Sequence, residues 1–479
     1  MSEFPRNLDG PIIILGGGPT GLGAAYLLTV ANCKDWLLYE GDDDVGGLAR
    51  SFCDGNGYTW DIGGHVVFSH YDSFTRLLDK LAEPSEWLLH ERESWIRILS
   101  QWVPYPFQNN IHRLPPKVAG KCLEGLIEAT LKNSDRPKTN FEDFMVSVFG
   151  HGIADLFMRP YNYKVWAYPA TEMVASWTGD RVATPDLKRV ARNLVEATDD
   201  VSWGPNNTFR FPRFGGTGSI WQSLASRLPS EKLIMNHEAV ELDIDARVIK
   251  FANGTEQKFG ILISSIPLDL LVKFSRNKDM MAIASGLMRS AVNVVGVALK
   301  GAPNSELASK CWMYFPESHT PFYRVTHFSH YSPNNVPDIG KQWSLMAEIS
   351  ESPGKPVNHA TLVDDTIKGL AMEGLIEGPK QVIHTWDFRA EYGYPTPYKG
   401  RDEILAKLLL PLERVGILSR GRFGAWLYEV GNMDHSFMQG FEAACRALFG
   451  SPEFTVWNPH VVNRPHPVLG WDRLNWRLI

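Results

Sequence analysis

Four consecutive apolar residues, Ile12-Ile13-Ile14-Leu15, run straight into Gly16-Gly17-Gly18-Pro19-Thr20-Gly21, and residues 22–30 then carry apolar positions at helical spacing. A short unbroken apolar run ending in glycine predicts a buried strand, so the chain opens with strand, glycine turn and helix. Residues 36–39 predict a second strand, which ends in Glu40. Residues 95–99 predict a strand leading into Trp102-Val103-Pro104-Tyr105-Pro106-Phe107, where the prolines favour an extended loop. Helical spacing over 118–131, 141–148, 153–165 and 187–197 predicts an inserted helical block. Residues 207–211 predict a short strand, followed by Gly215-Gly216-Thr217-Gly218 and a helix over 219–228. Residues 238–266 alternate as a hairpin turned at Asn253-Gly254, and end in an apolar run that predicts a strand returning to the first sheet. Strands over 292–299, 311–315, 322–328, 343–349 and 381–387, with a helix at 362–372, predict an antiparallel sheet. A strand at 417–419 and a helix reaching 449 close the pattern.

The opening turn carries chemistry. In a GxGxxG turn Gly16 permits the tight bend, Gly18 lets a pyrophosphate approach the backbone, and Gly21 lets helix and strand pack closely. The motif alone is weak evidence. Three further features support it: Glu40, spaced to bind a ribose hydroxyl; the doublet Gly46-Gly47; and Asp61-Ile62-Gly63-Gly64-His65. Together they point to FAD rather than NAD. Gly215-Gly216-Thr217-Gly218 has two readings, a second nucleotide loop or a tight turn returning the chain to the first domain, and the turn is preferred.

The fold class is therefore α/β, a Rossmann-type FAD-binding domain with an inserted helical domain and an antiparallel-sheet substrate domain. The FAD domain is expected in three parts, 1–90, 205–275 and 416–479. The helical domain takes 110–204, and the sheet domain takes 91–109 with 276–415.

Composition changes this picture little. A length of 479 residues, 44% hydrophobic and 21% charged, suits a globular enzyme of two or three domains. A net charge of -6 argues against a broad cationic surface for nucleic acid or anionic membrane, and leaves room for a local cationic pocket. Five scattered cysteines without a CxxC suit free thiols in a reducing compartment, and with no leader or spanning segment in the sequence the expected location is cytoplasmic. His65 and His70 have no cysteine or carboxylate pattern near them in sequence, so no metal site is expected. Asp434-His435-Ser436 opens a helix and is not a catalytic triad; its N-terminus suits negative charge on a reduced flavin.

Several long blocks are distinctive: residues 63–71, Gly63-Gly64-His65-Val66-Val67-Phe68-Ser69-His70-Tyr71; residues 102–110; Asp155 through Arg159-Pro160-Tyr161-Asn162 to Trp166; Trp203-Gly204-Pro205-Asn206; Gly393-Tyr394-Pro395-Thr396-Pro397; and residues 419–438. Across nearly its whole length the chain resembles the UDP-galactopyranose mutase family, and within it the eukaryotic, protozoan-like branch. That resemblance implies a flavin-dependent isomerase interconverting UDP-galactopyranose and UDP-galactofuranose without net redox. In that family reduced flavin N5 attacks the anomeric carbon, UDP leaves, and the sugar opens through a flavin iminium and recloses. NADPH is the implied electron donor. No nucleic acid, membrane or obligate protein partner is expected.

The resemblance also assigns residues. Arg181 and Arg324 match the two pyrophosphate arginines, and His65 the loop facing flavin N5. Tyr394, Tyr428 and Asn432 match diphosphate contacts; Tyr105, Phe107 and Gln108 the uridine site; Phe157, Asn162 and Trp166 a helix beside it. Asn206, Trp312 and Tyr314 match the sugar or phosphate side. For FAD it assigns Gly16, Gly18, Gly21, Glu40, Gly47, Leu48, Gly64, His65, Asp434 and Ser436, with Arg422 and Arg92 as weaker additions. The alternative reading is an FAD-dependent oxidase of the amine-oxidase or protoporphyrinogen-oxidase type, which shares the FAD topology but leaves the two arginines and the tyrosine pair unexplained. A non-catalytic sugar-nucleotide or flavin binder ranks last.

Overall fold

The computed structural model describes residues 9–132, 139–201 and 207–463. Strand Ile12–Leu15 pairs in parallel with Trp36–Tyr39 on one side and Ile261–Ser264 on the other. Ile417–Ser419 and Leu233–Ile234 extend the sheet at its two edges, also in parallel. All of Ile12–Leu15 and Ile261–Ser264 is buried, because both sheet faces are covered; this is why those runs are apolar without alternation. Helices Pro19–Val30 and Met433–Phe449 fill one face. Their backbones cross closely: a Cβ on Gly440 would sit 1.7 Å from the Thr20 carbonyl oxygen, and one on Gly23 would sit 2.2 Å from that of Phe437. This crossing brings the start of the Met433–Phe449 helix beside the first glycine turn.

The second sheet has seven strands, in the order Val382–Pro395, Arg289–Lys300, Gln342–Glu351, Arg324–His327, Trp312–Tyr314, Ser94–Ile98 and Gln101–Pro104. Its neighbours are antiparallel except one pair, Trp312–Tyr314 against Ser94–Ile98, which is parallel because the 94–104 hairpin joins the edge from a distant part of the chain. Helices Pro116–Leu131, Phe141–Ile153, Arg159–Trp166 and Leu187–Glu196 form a separate apolar cluster around Phe141, Phe149 and Trp166. The second of these is kinked at Gly150 (φ +71°), whose absent side chain lets the backbone lie against Gly125.

Some elements differ from the sequence expectation. Gln101–Pro104 is an edge strand rather than loop, and Pro104 is tolerated because it ends that strand. Strand Trp87–Glu91, which does not alternate in sequence, forms by pairing with Thr208–Pro212. Helix Arg401–Arg414 carries Pro411 internally, a residue that argues against a helix in sequence. The Gly215–Gly218 segment is a turn. Thr217 Oγ1 donates to Asp61 Oδ2 at 2.9 Å, and the Gly218 amide donates to Ser51 Oγ at 2.7 Å. Asp61 is thereby a buried structural carboxyl that burial pushes up to about 7, despite hydrogen bonds from Ser51 and Thr217. Among the described residues, no helix is long and apolar enough to cross a membrane.

Glu442, fully enclosed in the Met433–Phe449 helix, accepts hydrogen bonds from the amides of Phe454 and Thr455 and from the Thr455 hydroxyl at 2.9–3.0 Å. Burial pushes its pKa up to about 8, against the pull of those bonds. Above its ordinary value of 4.5 the unfolded chain ionises first while the native state keeps the proton, so this residue's contribution to stability falls as pH rises, until about 8. Glu442→Gln keeps the two amide bonds and cannot ionise. Its melting temperature should therefore fall less between pH 5 and pH 8 than that of the wild type (both limits about those set by the shift). An unchanged slope in thermal unfolding would contradict the assignment.

Candidate active site

A cavity of about 790 Å³ lies where the carboxyl ends of the parallel strands face the second sheet, the usual place for a ligand crevice in an open α/β sheet. Leu15, Tyr39, Glu40 and Ser265 line it from one side; Trp312, Tyr314, Arg324, Glu348 and Tyr394 line it from the other. Gly16 adopts φ +96°, which favours glycine. Gly18 and Gly47 meet back to back: a Cβ on Gly47 would stand 3.3 Å from Gly18 Cα. The Glu40 carboxylate accepts from the amides of Gly17 and Asp42, at 2.5 and 3.0 Å, which fixes it at the cavity wall. Gly21 does not line the cavity. A Cβ there would lie 1.8 Å from the Gly16 carbonyl oxygen, so its role is the helix–strand contact.

Gly64, His65, Leu48, Asn432, Asp434 and Ser436 also line the cavity. Asp434 Oδ2 accepts from the His70 amide at 2.9 Å and lies 2.8 Å from His70 Nδ1. Burial opposes its ionisation, yet the adjacent histidines and the two contacts from His70 hold its pKa well below the usual carboxylate range. The sequence shows no carboxylate pattern near His70. Folding supplies one from 364 positions away, and stacks the buried His435 ring on His70 at a centroid distance of 4.6 Å. His65 has a buried Nδ1 with no hydrogen-bond partner. Burial pushes its pKa down to about 4, so the ring is neutral near pH 7 and offers an unused nitrogen in the cavity wall.

The opposite wall is cationic. Arg324 makes a two-pronged pair with Glu348, Nε to Oε1 and Nη2 to Oε2, both at 2.7 Å. Glu348 is buried and also accepts from the Gly64 amide at 3.0 Å and the Tyr323 hydroxyl at 2.8 Å. Burial would neutralise it, but Arg324 and these donors hold its pKa below the usual value. Among the described residues Arg422 bonds only carbonyl oxygens, those of Gly393 and Gly431, at 3.0–3.2 Å; its guanidinium lies 4.9 Å over the Tyr394 ring. Burial lowers its pKa. Arg181 lies 5.0 Å over the Tyr428 ring, and Arg92 5.3 Å over that of Tyr105. Tyr394 and Tyr428 stand edge to face at 5.9 Å, while Trp312 Nε1 donates to the Tyr314 hydroxyl at 2.6 Å.

The structure thus brings Arg181, Arg324, His65, Tyr105, Trp312, Tyr314, Tyr394, Tyr428 and Asn432 into one cavity with the glycine turns. It sets the other expected contacts behind the wall. Phe107 stacks on Phe157 at 4.7 Å, Gln108 donates to the Ala183 carbonyl, and Asn162 donates to the Met158 carbonyl at 2.7 Å. Trp166 packs against Tyr428 at 4.7 Å and Tyr394 at 5.7 Å, so it supports the tyrosine pair from behind. Asn206, with residues 203–205, lies outside the described residues. Glu348 is absent from the sequence expectation. Its signal was a lone carboxylate inside the apolar run of residues 343–349, a position that demands a buried cation.

Fold and cavity together define a flavoprotein of the amine-oxidoreductase class: the family model for flavin containing amine oxidoreductases matches residues 19–448. The glycine cradle, Glu40 and the unpartnered His65 nitrogen fit FAD. A crystal structure of reduced UDP-galactopyranose mutase superposes with a TM-score of 0.92 at 49% identity, covering 95% of this chain and 99% of that one. The chain belongs to the UDP-galactopyranose mutase family. Two more distant structures share the fold alone. An Exiguobacterium sp. 255-15 protein with a protoporphyrinogen oxidase designation has a TM-score of 0.71 at 14% identity, over 92% of this chain and 99% of its own. Putrescine oxidase bound to putrescine gives 0.63 at 14%, over 91% and 98%.

Proposed function

We propose that this protein interconverts UDP-galactopyranose and UDP-galactofuranose, with FAD reduced by NADPH, as a member of the eukaryotic branch. The observation that carries the reading is the wall of Arg181, Arg324 and Arg422 with Tyr394 and Tyr428, set across one cavity from a dinucleotide cradle. When bound and reduced, FAD supplies the nucleophile for the anomeric carbon. The chain's own residues must then hold the diphosphate as it leaves and returns. Guanidinium groups suit this because they stay charged and can bind two oxygens at once. Arg324 bonds Glu348 through Nε and Nη2, which leaves Nη1 for an anion in the cavity that Arg324 lines. Arg422 has no carboxylate partner among the described residues, so it keeps its full charge for an anion. Neutral His65, in the cavity lining, tunes the flavin or the position of its own loop rather than carrying a fixed charge there.

Tyr105 lines the cavity and packs beside Tyr314 at 5.9 Å, and with it would stack the uracil ring. Tyr105→Ala should weaken UDP binding by about 1–2 kcal/mol, or roughly 5–30-fold, within the range for a lost aromatic contact and its buried area. Titration calorimetry reads it, and unchanged affinity would remove the uridine assignment. The activity itself is tested by supplying UDP-galactofuranose anaerobically to the oxidised and to the reduced protein and separating the nucleotides. UDP-galactopyranose formed only with reduced flavin supports the reading. Hydrogen peroxide formed by the oxidised protein in air in proportion to added substrate, with no sugar-nucleotide isomer, would favour an oxidase.

A further inference from the structure

Arg181 is held in an unusual way. Its Nη2 donates at 2.6 Å to the main-chain carbonyl of Glu429, and its guanidinium lies on the Tyr428 ring. A carboxylate would orient the guanidinium but also discharge it, and would compete with a diphosphate. A carbonyl orients it and leaves the charge nearly whole. The carbonyl must therefore be rigid, and two residues from distant elements fix it. Arg401, buried at the start of helix Arg401–Arg414, grips the Glu429 carboxylate with both terminal nitrogens, at 2.9 and 2.6 Å. Asn463, at the end of the short helix Pro459–Val462, donates Nδ2 to the same Glu429 carbonyl at 2.8 Å and to the Pro459 carbonyl at 2.7 Å. Asn463 itself lines the cavity.

We infer that Arg401 and Asn463 are positioning residues that act through Glu429 to aim Arg181 at the leaving diphosphate. The inference rests on the diphosphate role given to Arg181 above. Neither residue stands in a block that marks the site in sequence. Their link exists only because the turn Tyr428–Val430 presents its side chain to Arg401 and its carbonyl to Arg181 and Asn463.

The test is a double-mutant cycle on the FAD-loaded protein, read as UDP affinity by calorimetry and as kcat. Asn463→Ala should weaken UDP binding and lower kcat by about 3–10-fold each, but in an Arg181→Ala background it should change UDP affinity less than about 2-fold, because the coupled pair acts as a unit. Glu429→Gln, which keeps the main-chain carbonyl and loses the ion pair, should show the same dependence on Arg181. Equal losses in both backgrounds would mean that Asn463 touches the ligand itself or only stabilises the fold, and would overturn the inference, as would no loss in either. A wild-type protein that bound no UDP would overturn the reading of the site and this assignment with it. Normal UDP binding with additive losses would overturn the assignment alone.

Discussion

Arg181→Ala is expected to lower kcat by about 10²–10³-fold, the range found when a donor aimed at developing charge is removed. Charge builds on the diphosphate as the bond to the anomeric carbon breaks, so a guanidinium there is worth more in the transition state than in the bound substrate. The variant should therefore lose kcat and kcat/KM together, with KM changing less. Arg181 sits on Tyr428 and is held by the Glu429 carbonyl, so its loss removes a cation from the cavity wall. Steady-state kinetics with reduced enzyme decides it. A raised KM at unchanged kcat would mean that Arg181 binds substrate and transition state alike, and would remove it from the leaving-group role.

Glu348→Gln should have the second large effect, and an opposite one on binding. The carboxylate receives Arg324 in two hydrogen bonds, the Gly64 amide and the Tyr323 hydroxyl. A glutamine keeps the shape but leaves Arg324, half-buried at the cavity wall with 23% of its side chain exposed, without its counter-charge. Breaking a fully buried pair from one side costs about 3–5 kcal/mol and this partly exposed one less, so the ligand-free variant should melt below the wild type. UDP supplies the missing negative charge. It should raise the variant's melting temperature by more than the wild type's, and bind at least as tightly. Turnover should still fall, since Arg324 then holds UDP too firmly for its return to the sugar and the Gly64-His65 loop loses its charged anchor. Thermal shift with and without UDP, paired with kinetics, separates this from simple damage. A variant as stable as the wild type, or one that UDP stabilises less, would show that Glu348 does not balance Arg324.

Much of this was legible in the sequence, because the residues concerned are local in the chain. Ile12 to Gly21 specifies strand, turn and helix within ten positions, and the largely apolar runs 261–264 and 417–419 predict buried strands of the same sheet. The chemistry of the cavity wall was legible through Arg181, Arg324, Tyr394 and Tyr428, each in a distinctive block. What escaped was pairwise and long-range. Trp87–Glu91 is a strand only because Thr208–Pro212 lies beside it. The Asp434 carboxylate reaches His70 across 364 positions, and Glu429 joins Arg401, Arg181 and Asn463 from three separate elements. Phe107, Gln108, Phe157 and Asn162 lie in equally distinctive blocks, yet Phe107 and Phe157 pack on each other and the two amides bond main-chain carbonyls behind the wall. A block marks a site without saying which of its side chains faces the ligand.

The central claim is that the flavin acts as a reduced catalyst and is not consumed. The direct measurement is anaerobic: reduce the enzyme with one equivalent of dithionite per flavin, add excess UDP-galactofuranose, and count UDP-galactopyranose formed while following the flavin absorbance. The account predicts many turnovers per reducing equivalent, with the flavin still reduced at the end. Equal turnover with the flavin left oxidised, or no isomer from enzyme shown to hold reduced flavin, would contradict it.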